Sequence, residues 1–170
     1  MIMSQGLDAS LLGLLGLLIG SFLNVVIYRL PVMMEAHWKA ECAELAGQAP
    51  VAGAAFNLMT PRSRCQHCGH PIRWFENIPL ISFLVLRGKC SQCQTAISVR
   101  YPAVELATGA LFFFCAWRWG LTPVALAWCG FAAALLTLAL IDWDTTLLPM
   151  PLTWPLLWAG LIAAALGLSH

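Results

Sequence analysis

The stretch LLTLALIDWDTTLLP, Leu135–Pro149, runs an apolar segment directly into two aspartates. A carboxylate at the end of an apolar helix is costly to keep away from water, so its presence indicates a function or a boundary with water. Asp142 and Asp144 are two residues apart and would point about 200° apart on a helix, so only one can face a given site. Pro149 then interrupts the helical pattern. The stretch predicts a membrane helix that ends in one functional carboxylate.

The composition of the whole chain is that of a membrane protein. Of 170 residues, 60% are hydrophobic and only 10% are charged, which is too apolar for an ordinary soluble domain. Four apolar stretches approach the length of about 20 residues that crosses a bilayer. They are residues 11–28, 103–119, 124–141 and 152–168. A net charge of +1 gives no reason to expect a nucleic-acid partner.

Basic residues are concentrated between the first two apolar stretches. Eight of the nine Lys and Arg residues lie between Arg29 and Arg100. Short loops rich in Lys and Arg remain on the cytoplasmic side of a membrane, so this loop should be cytoplasmic. Following the chain through the next two spans brings Asp142 and Asp144 out on the same side. The acids and the basic loop are therefore predicted to share a face of the membrane.

Four cysteines form two CxxC motifs in this loop, with residues 69–89 between the motifs. They are Cys65, Cys68, Cys90 and Cys93. Disulfides are not expected in a reducing cytoplasm, and two CxxC turns match a tetrahedral structural zinc site closed by four thiolates. Gly69 suits the tight turn of the first motif. His67 and His70 are close enough to compete as ligands, and a redox pair is the other interpretation of a CxxC motif.

These features predict an all-α polytopic membrane protein with about four transmembrane helices and a small zinc-binding cytoplasmic loop domain. The predicted division is a first transmembrane helix at 1–28, the zinc-binding loop domain at 29–102, and three further transmembrane helices at 103–170. Residues 33–46 predict a separate short amphipathic helix, which either lies on the membrane surface or is merely solvated. Cys115 and Cys129 lie in spans, where we expect them to act as small apolar packing residues.

Five stretches of the sequence resemble the type IV prepilin peptidases. They are GSFLNVVIYRLP (20–31), MMEAHW (33–38), the double CxxC region, RYPAVELATG (100–109) and IDWDTTLLP (141–149). The resemblance implies a multi-pass aspartyl endopeptidase of the bacterial inner membrane that removes the leader of prepilins and pseudopilins. It also implies N-methylation of the new N-terminal residue with S-adenosylmethionine, a structural zinc ion, and pilus or type II secretion components as partners.

The resemblance also assigns roles to acidic residues. It implies that Asp142 is a catalytic aspartate and that Asp144 is not. For Glu105, just inside the second span, we expect an ion pair with Arg100 or another loop cation, with a functional role as the alternative. The family's second catalytic aspartate lies in a GxGD stretch beyond the fourth span, and this sequence contains no such stretch.

The missing aspartate leaves several interpretations open. We expect the chain to be the N-terminal portion of a longer peptidase, with a separate complementing chain or an Asp142–Asp142 pair across a dimer as alternatives. A second class of function is a non-catalytic, zinc-stapled membrane module that binds prepilin or assembly proteins. A third class is a membrane thiol–disulfide oxidoreductase that uses the CxxC pairs.

Overall fold

The computed structural model describes residues 2–48 and 56–167, which form helices and one loop module. The elements are α1 (Ile2–Leu45), a 3-10 helix η1 (Trp74–Asn77), α2 (Ile81–Val85), α3 (Arg100–Trp119), α4 (Pro123–Thr145) and α5 (Met150–Ala165). Within these described ranges there is no strand, only two isolated bridges in the loop module. The expected helical architecture is confirmed. Residue 1, residues 49–55 of the predicted loop domain and residues 168–170 of the predicted part at 103–170 lie outside the described residues.

Helix α1 is much longer than the span predicted at 11–28. Its 44 residues extend about 66 Å at about 1.5 Å per residue, roughly twice the thickness of a bilayer core. The prediction of a separate helix at 33–46 was wrong, because this stretch continues α1 with mostly exposed side chains. Pro31 lies inside the helix. Its ring nitrogen carries no hydrogen, so one backbone hydrogen bond is missing there, but the helix continues on both sides. The domain boundary predicted at 28/29 therefore falls within α1.

Two of the described helices are long and apolar enough to cross a membrane. They are α1, from Gln5 onward, and α4, with 23 residues. Helix α5 is apolar but has only 16 residues, and α3 carries Arg100, Glu105 and Arg118 within its 20 residues. These lengths and compositions are compatible with a membrane protein. Among the described residues, two helices meet the criterion by themselves, where about four transmembrane helices were predicted.

Helices α1 and α3 pack more extensively than any other pair, through a seam of glycines. A Cβ atom placed on Gly16 would lie 2.9 Å from the Cα of Gly109, and one on Gly20 would lie 2.7 Å from the Cα of Glu105. Such distances are shorter than real Cβ contacts, so only glycine permits this separation of the two backbones. Small residues spaced along a helix face are a common means of close helix packing in membranes.

The remaining helices add to this pair. Thr122 is the N-cap residue of α4, and its hydroxyl accepts a hydrogen bond from the amide of Ala125. Cys115 of α3 and Cys129 of α4 are both buried in the apolar core, as predicted for packing residues. Helix α5 contributes no fully buried side chain, and apart from Leu152, which packs against the core, most of its apolar surface faces outward. This outward face suits contact with lipid.

We predict that Gly20→Ala destabilises the packing of α1 on α3 by about 1–3 kcal/mol, as overpacking does elsewhere. The added methyl group would meet the α3 backbone, which cannot swing away as a side chain can. Thermal unfolding of the chain in detergent measures the effect.

Gly6→Ala is the matched control for this change. Gly6 also lies in α1, but nothing approaches within 4 Å of the position where its Cβ would be. Alanine there should be neutral, or should stabilise the helix by up to about 1 kcal/mol. Equal unfolding temperatures for the two variants would contradict the glycine seam.

Candidate functional site

The first CxxC motif forms a tight turn closed by backbone hydrogen bonds. The amide of Cys65 donates to the carbonyl of His70 at 2.8 Å, and the amide of Gly69 donates to the carbonyl of Cys65 at 2.9 Å. Gly69 has a φ of +72°, in the left-handed region that favours glycine. The expected role of Gly69 in the turn is therefore confirmed, and Cys65 and Cys68 are both placed on the inner side of the knuckle.

The second CxxC motif repeats the same turn. The amide of Cys90 donates to the carbonyl of Thr95 at 2.9 Å, and the amide of Gln94 donates to the carbonyl of Cys90 at 3.1 Å. Gln94 occupies the position equivalent to the glycine of the first motif, with a φ of +57°. Both motifs are also flanked by an isolated β-bridge at equivalent positions. The bridges pair Arg64 with Pro71 and Lys89 with Ala96. The module is thus built from two copies of one backbone unit.

The two knuckles bring all four cysteine sulfurs into one cluster. The four Sγ atoms lie within 4.8 Å of one another, with Cys65 and Cys93 3.8 Å apart and Cys68 and Cys90 4.0 Å apart. Zinc–sulfur bonds of about 2.3 Å in a tetrahedron place neighbouring sulfurs about 3.8 Å apart. Both of these contacts join one motif to the other, as expected for a metal site that is closed by the two knuckles together. The four predicted cysteines therefore form a cluster that can hold a metal ion.

The cysteine thiols have unequal acidities. Hydrogen bonds with the hydroxyl and then the backbone of Thr95 lower the pKa of Cys93 to about 6. A backbone hydrogen bond from His70 lowers the pKa of Cys68, but desolvation and the three neighbouring cysteines outweigh it and raise that pKa to about 11. Thiols this close together resist carrying four negative charges, so a cation is needed to hold them all as thiolates.

The two histidines near the first motif are not part of the cluster. His67 is exposed, and the Nε2 atom of His70 lies 3.6 Å from Oε2 of Glu76. Hydrogen bonds with the side chain of Ser91 and the backbone of Arg73 lower the pKa of Glu76 and keep it ionised beside His70. Among the residues described, the metal-binding group contains cysteines alone.

Two buried polar side chains of α1 make long-range hydrogen bonds, one to the loop and the other to the start of α3. Arg29 of α1 donates to the carbonyls of Asn57 and Pro61, at 2.8 and 2.6 Å. Asn24, one turn earlier, donates to the carbonyl of Tyr101 at 3.1 Å. Sequence reasoning did not single out Arg29 or Asn24 for these roles. The signal was present, because a polar residue inside an apolar span usually has a buried partner.

Glu105 has a different partner from the loop cation expected for it. Its carboxylate is buried and accepts a hydrogen bond at 2.8 Å from the backbone amide of Leu80, in the loop. Leu80 has a φ of +59°, where a side chain is disfavoured, so this bond holds a strained turn in place. Arg100, the expected partner, binds Asp144 instead. Glu105 is thus a docking residue for the loop.

Asp142 and Asp144 differ in their contacts because they lie on different faces of α4. Asp144 receives two hydrogen bonds from the guanidinium of Arg100, with Nη1–Oδ1 and Nη2–Oδ2 distances of 2.7 Å each. The carboxylate of Asp142 is exposed and makes no hydrogen bond or ion pair with any residue described here. The carbonyl of Asp142 accepts from the amide of Thr146, which closes the helix. Asp144 is therefore held in an ion pair, whereas the carboxylate of Asp142 is accessible to solvent.

A cavity of about 820 Å³ lies between α1, the loop module and the start of α3. Its lining includes the aromatic rings of Tyr28 and Tyr101 together with the carboxylates of Glu76 and Glu105. The volume is within the range of small-molecule sites, which runs to about 1,000 Å³. Asp142 does not line this cavity, so the structure separates the cavity from the exposed acid.

Comparison with known families identifies the architecture. The family model described as Bacterial Peptidase A24 N-terminal domain matches residues 14–119, more than half of the chain. The chain belongs to the bacterial A24 peptidase family. The resemblance inferred from the sequence is therefore confirmed. The A24 match covers most of α1, the cysteine module and α3, and it ends at Trp119, before Asp142.

Individual relatives extend the A24 similarity over nearly the whole chain. Three proteins named prepilin leader peptidase/N-methyltransferase are similar to 89–91% of it: those of Stutzerimonas stutzeri (56% identical), Pseudomonas aeruginosa (55%) and Neisseria gonorrhoeae (50%). In each case the similarity covers 54% of the relative, so the chain spans about half the length of these curated proteins. No solved structure matches the chain.

We predict that Cys65→Ser and Cys90→Ser each release the metal from the module and loosen the loop, because a hydroxyl is a poor substitute for a thiolate ligand. Elemental analysis of the purified chain measures metal per protein. Cys42→Ser is the control, since Cys42 is exposed on α1 and is not part of the cluster. Unchanged metal content in both knuckle variants would show that these cysteines are not ligands.

Because the two knuckles have the same backbone turn, two substitutions at equivalent positions should have opposite effects on the stability of the module. Gln94→Gly should stabilise the module and Gly69→Ala should destabilise it, each by about 1 kcal/mol, because both positions have a left-handed backbone. The chelator concentration that removes half of the metal reports on both variants. A shift in the same direction for both would contradict the equivalence of the turns.

Proposed function

We propose that this chain carries the first catalytic aspartate of a membrane aspartyl endopeptidase that removes the leader peptide of type IV prepilins or pseudopilins. Asp142 is the proposed catalytic residue. The single observation that carries the proposal is the exposed, unpaired carboxylate of Asp142 at the end of α4, in a chain 56% identical to a protein named prepilin leader peptidase/N-methyltransferase. The ion pair between Asp144 and Arg100 supports the assignment of this role to Asp142 and not to Asp144.

The proposed chemistry requires a second carboxylate. In an aspartyl protease one ionised carboxylate activates water and a protonated one polarises the scissile carbonyl. The chain has one further aspartate, Asp8, near the start of α1. The Gln5 side chain donates to the carbonyl of Trp117, at the far end of α3, so Asp8 and Asp142 lie at opposite ends of the helices. We therefore expect the partner carboxylate to be supplied by another segment or another chain.

The proposed setting is the cytoplasmic face of the bacterial inner membrane. About four helices, α1 and α3 to α5, would cross or enter the bilayer, with the basic loop module and Asp142 on the cytoplasmic side. An apolar substrate helix could then lie in lipid beside the exposed faces of α4 and α5. The scissile bond at its cytoplasmic end would be at the depth of Asp142. Components of pilus or type II secretion systems are the expected assembly partners.

Zinc and a methyl donor complete the proposal. The sulfur distances support a structural zinc ion held by the four cysteines, which would stabilise the module and leave no open position for catalysis. The names of the relatives support N-methylation of the trimmed substrate, with S-adenosylmethionine as the methyl donor. The cavity beside Tyr28 and Glu76 has the volume for such a molecule, and aromatic and acidic side chains suit its sulfonium cation.

We predict that Asp142→Asn abolishes leader cleavage, whereas Asp144→Asn reduces it without abolishing it. The amide keeps the shape of the side chain but cannot activate water. Cleavage of a prepilin co-expressed in membranes with this chain, supplemented with the remaining part of a relative if the chain is silent alone, measures the effect. Equal loss in the two variants would contradict the assignment of roles to the two faces of α4.

A further inference from the structure

We propose that Arg100 and Asp144 form a positioning pair that fixes the last turn of α4, and with it Asp142, against the cysteine module. The inference rests on the proposed function only for its catalytic consequence, since the pair itself is a feature of the fold. Arg100 begins α3 and follows the module directly, whereas Asp144 lies 44 residues later at the end of α4. The pair joins the first residue of α3, directly after the module, to the end of the acid-bearing helix α4.

The two hydrogen bonds fix the relative orientation of the Arg100 and Asp144 side chains as well as the distance between them. Both guanidinium nitrogens of Arg100 reach Asp144, one to each carboxylate oxygen, at 2.7 Å. Paired hydrogen bonds of this kind hold the two planar groups in one relative orientation. Nη2 also lies 3.4 Å from the carbonyl of Leu140, one turn earlier in α4. A single side chain therefore contacts two successive turns of α4 and opposes rotation of the helix end.

The rotation of α4 determines where Asp142 points. Successive residues of a helix are about 100° apart, so Asp142 projects about 200° away from Asp144. Anchoring Asp144 to α3 leaves Asp142 on the opposite side, where it is exposed. The hydrogen bond from Thr146 to the carbonyl of Asp142 keeps this turn helical. The pair thus acts on the reaction through the orientation of Asp142 and does not touch the substrate.

A short hydrogen-bonded path connects Arg100 to the second cysteine knuckle. The amide of Ile97 donates to the carbonyl of Gly88, just before the knuckle, at 2.7 Å, and the amide of Arg100 donates to the hydroxyl of Ser98 at 3.3 Å. These hydrogen bonds restrain the backbone between the second cysteine knuckle and Arg100. This path lets the module serve as the fixed body against which α4 is aligned.

The pair is too exposed to contribute much to overall stability. The side chains of Arg100 and Asp144 are 39% and 34% exposed, and ion pairs at such exposure add little to the free energy of unfolding. A positioning role and a stabilising role therefore predict different results. Loss of the pair should alter the last turn of α4 and the turnover rate, while metal content and unfolding temperature stay unchanged.

The experiment compares Arg100→Gln, Asp144→Asn and the exchanged pair Arg100→Asp with Asp144→Arg. Arg118→Gln is the control, since it removes an arginine from the opposite end of the same helix. Amide deuterium exchange of residues 141–146, in the full chain in lipid nanodiscs, is the first measurement. We expect exchange to rise about threefold or more in each single variant, to recover in the exchanged pair, and to stay unchanged in the control.

Leader cleavage is the second measurement. With the pair broken, we expect kcat to fall about tenfold with KM unchanged, and the exchanged pair to restore part of the loss. Unchanged deuterium exchange in both single variants, or an equal rise in Arg118→Gln, would overturn the positioning role. If wild type supplemented with the remaining part of a relative gives no more cleavage than Asp142→Asn supplemented in the same way, the proposed function fails. The deuterium-exchange results then decide the positioning role independently.

Discussion

The close approach of α1 and α3 is the constraint on which the rest of the molecule depends. Gly16, Gly20 and Gly109 bring the two backbones to a separation that no Cβ would allow. Between helices in lipid there is little hydrophobic force, so packing of this kind has to supply the association. The same approach brings Asn24 of α1 within reach of the Tyr101 carbonyl on α3. The adjoining ends of the two helices thereby form one platform for the loop.

The loop module is held on this platform by polar contacts and by its cysteines. In its described part the module buries few of its apolar side chains, and Ile81, Leu84 and Val85 are all more than half exposed. Arg29 and Glu105, both buried, bind loop backbone instead, and each meets its hydrogen-bonding requirement in doing so. A metal held by four thiolates would cross-link the two knuckles and provide the remaining stability. Module and helices thus form one body from which α4 is aligned.

The two acids of α4 illustrate how helix phase divides roles between neighbours. Asp144 turns toward α3 and forms an ion pair with Arg100, and Asp142 consequently turns away and stays exposed. An aspartyl protease needs a carboxylate that is accessible and can still titrate, and a carboxylate held by a guanidinium cannot serve. The A24 match ends before α4, so the proposed role of Asp142 rests on this geometry and on the relatives.

The sequence by itself determined the helical architecture, the four-cysteine cluster and the opposite faces of Asp142 and Asp144, because apolar runs, CxxC spacing and helical phase are local properties. The tertiary structure decided the partners. Glu105 binds the Leu80 amide and Arg100 binds Asp144, across 25 and 44 residues, where several loop cations were equally available by sequence. It also decided that α1 continues through Pro31. Which groups pair depends on which of them the packed helices bring within hydrogen-bonding distance. The spacing of residues along the chain does not determine that distance.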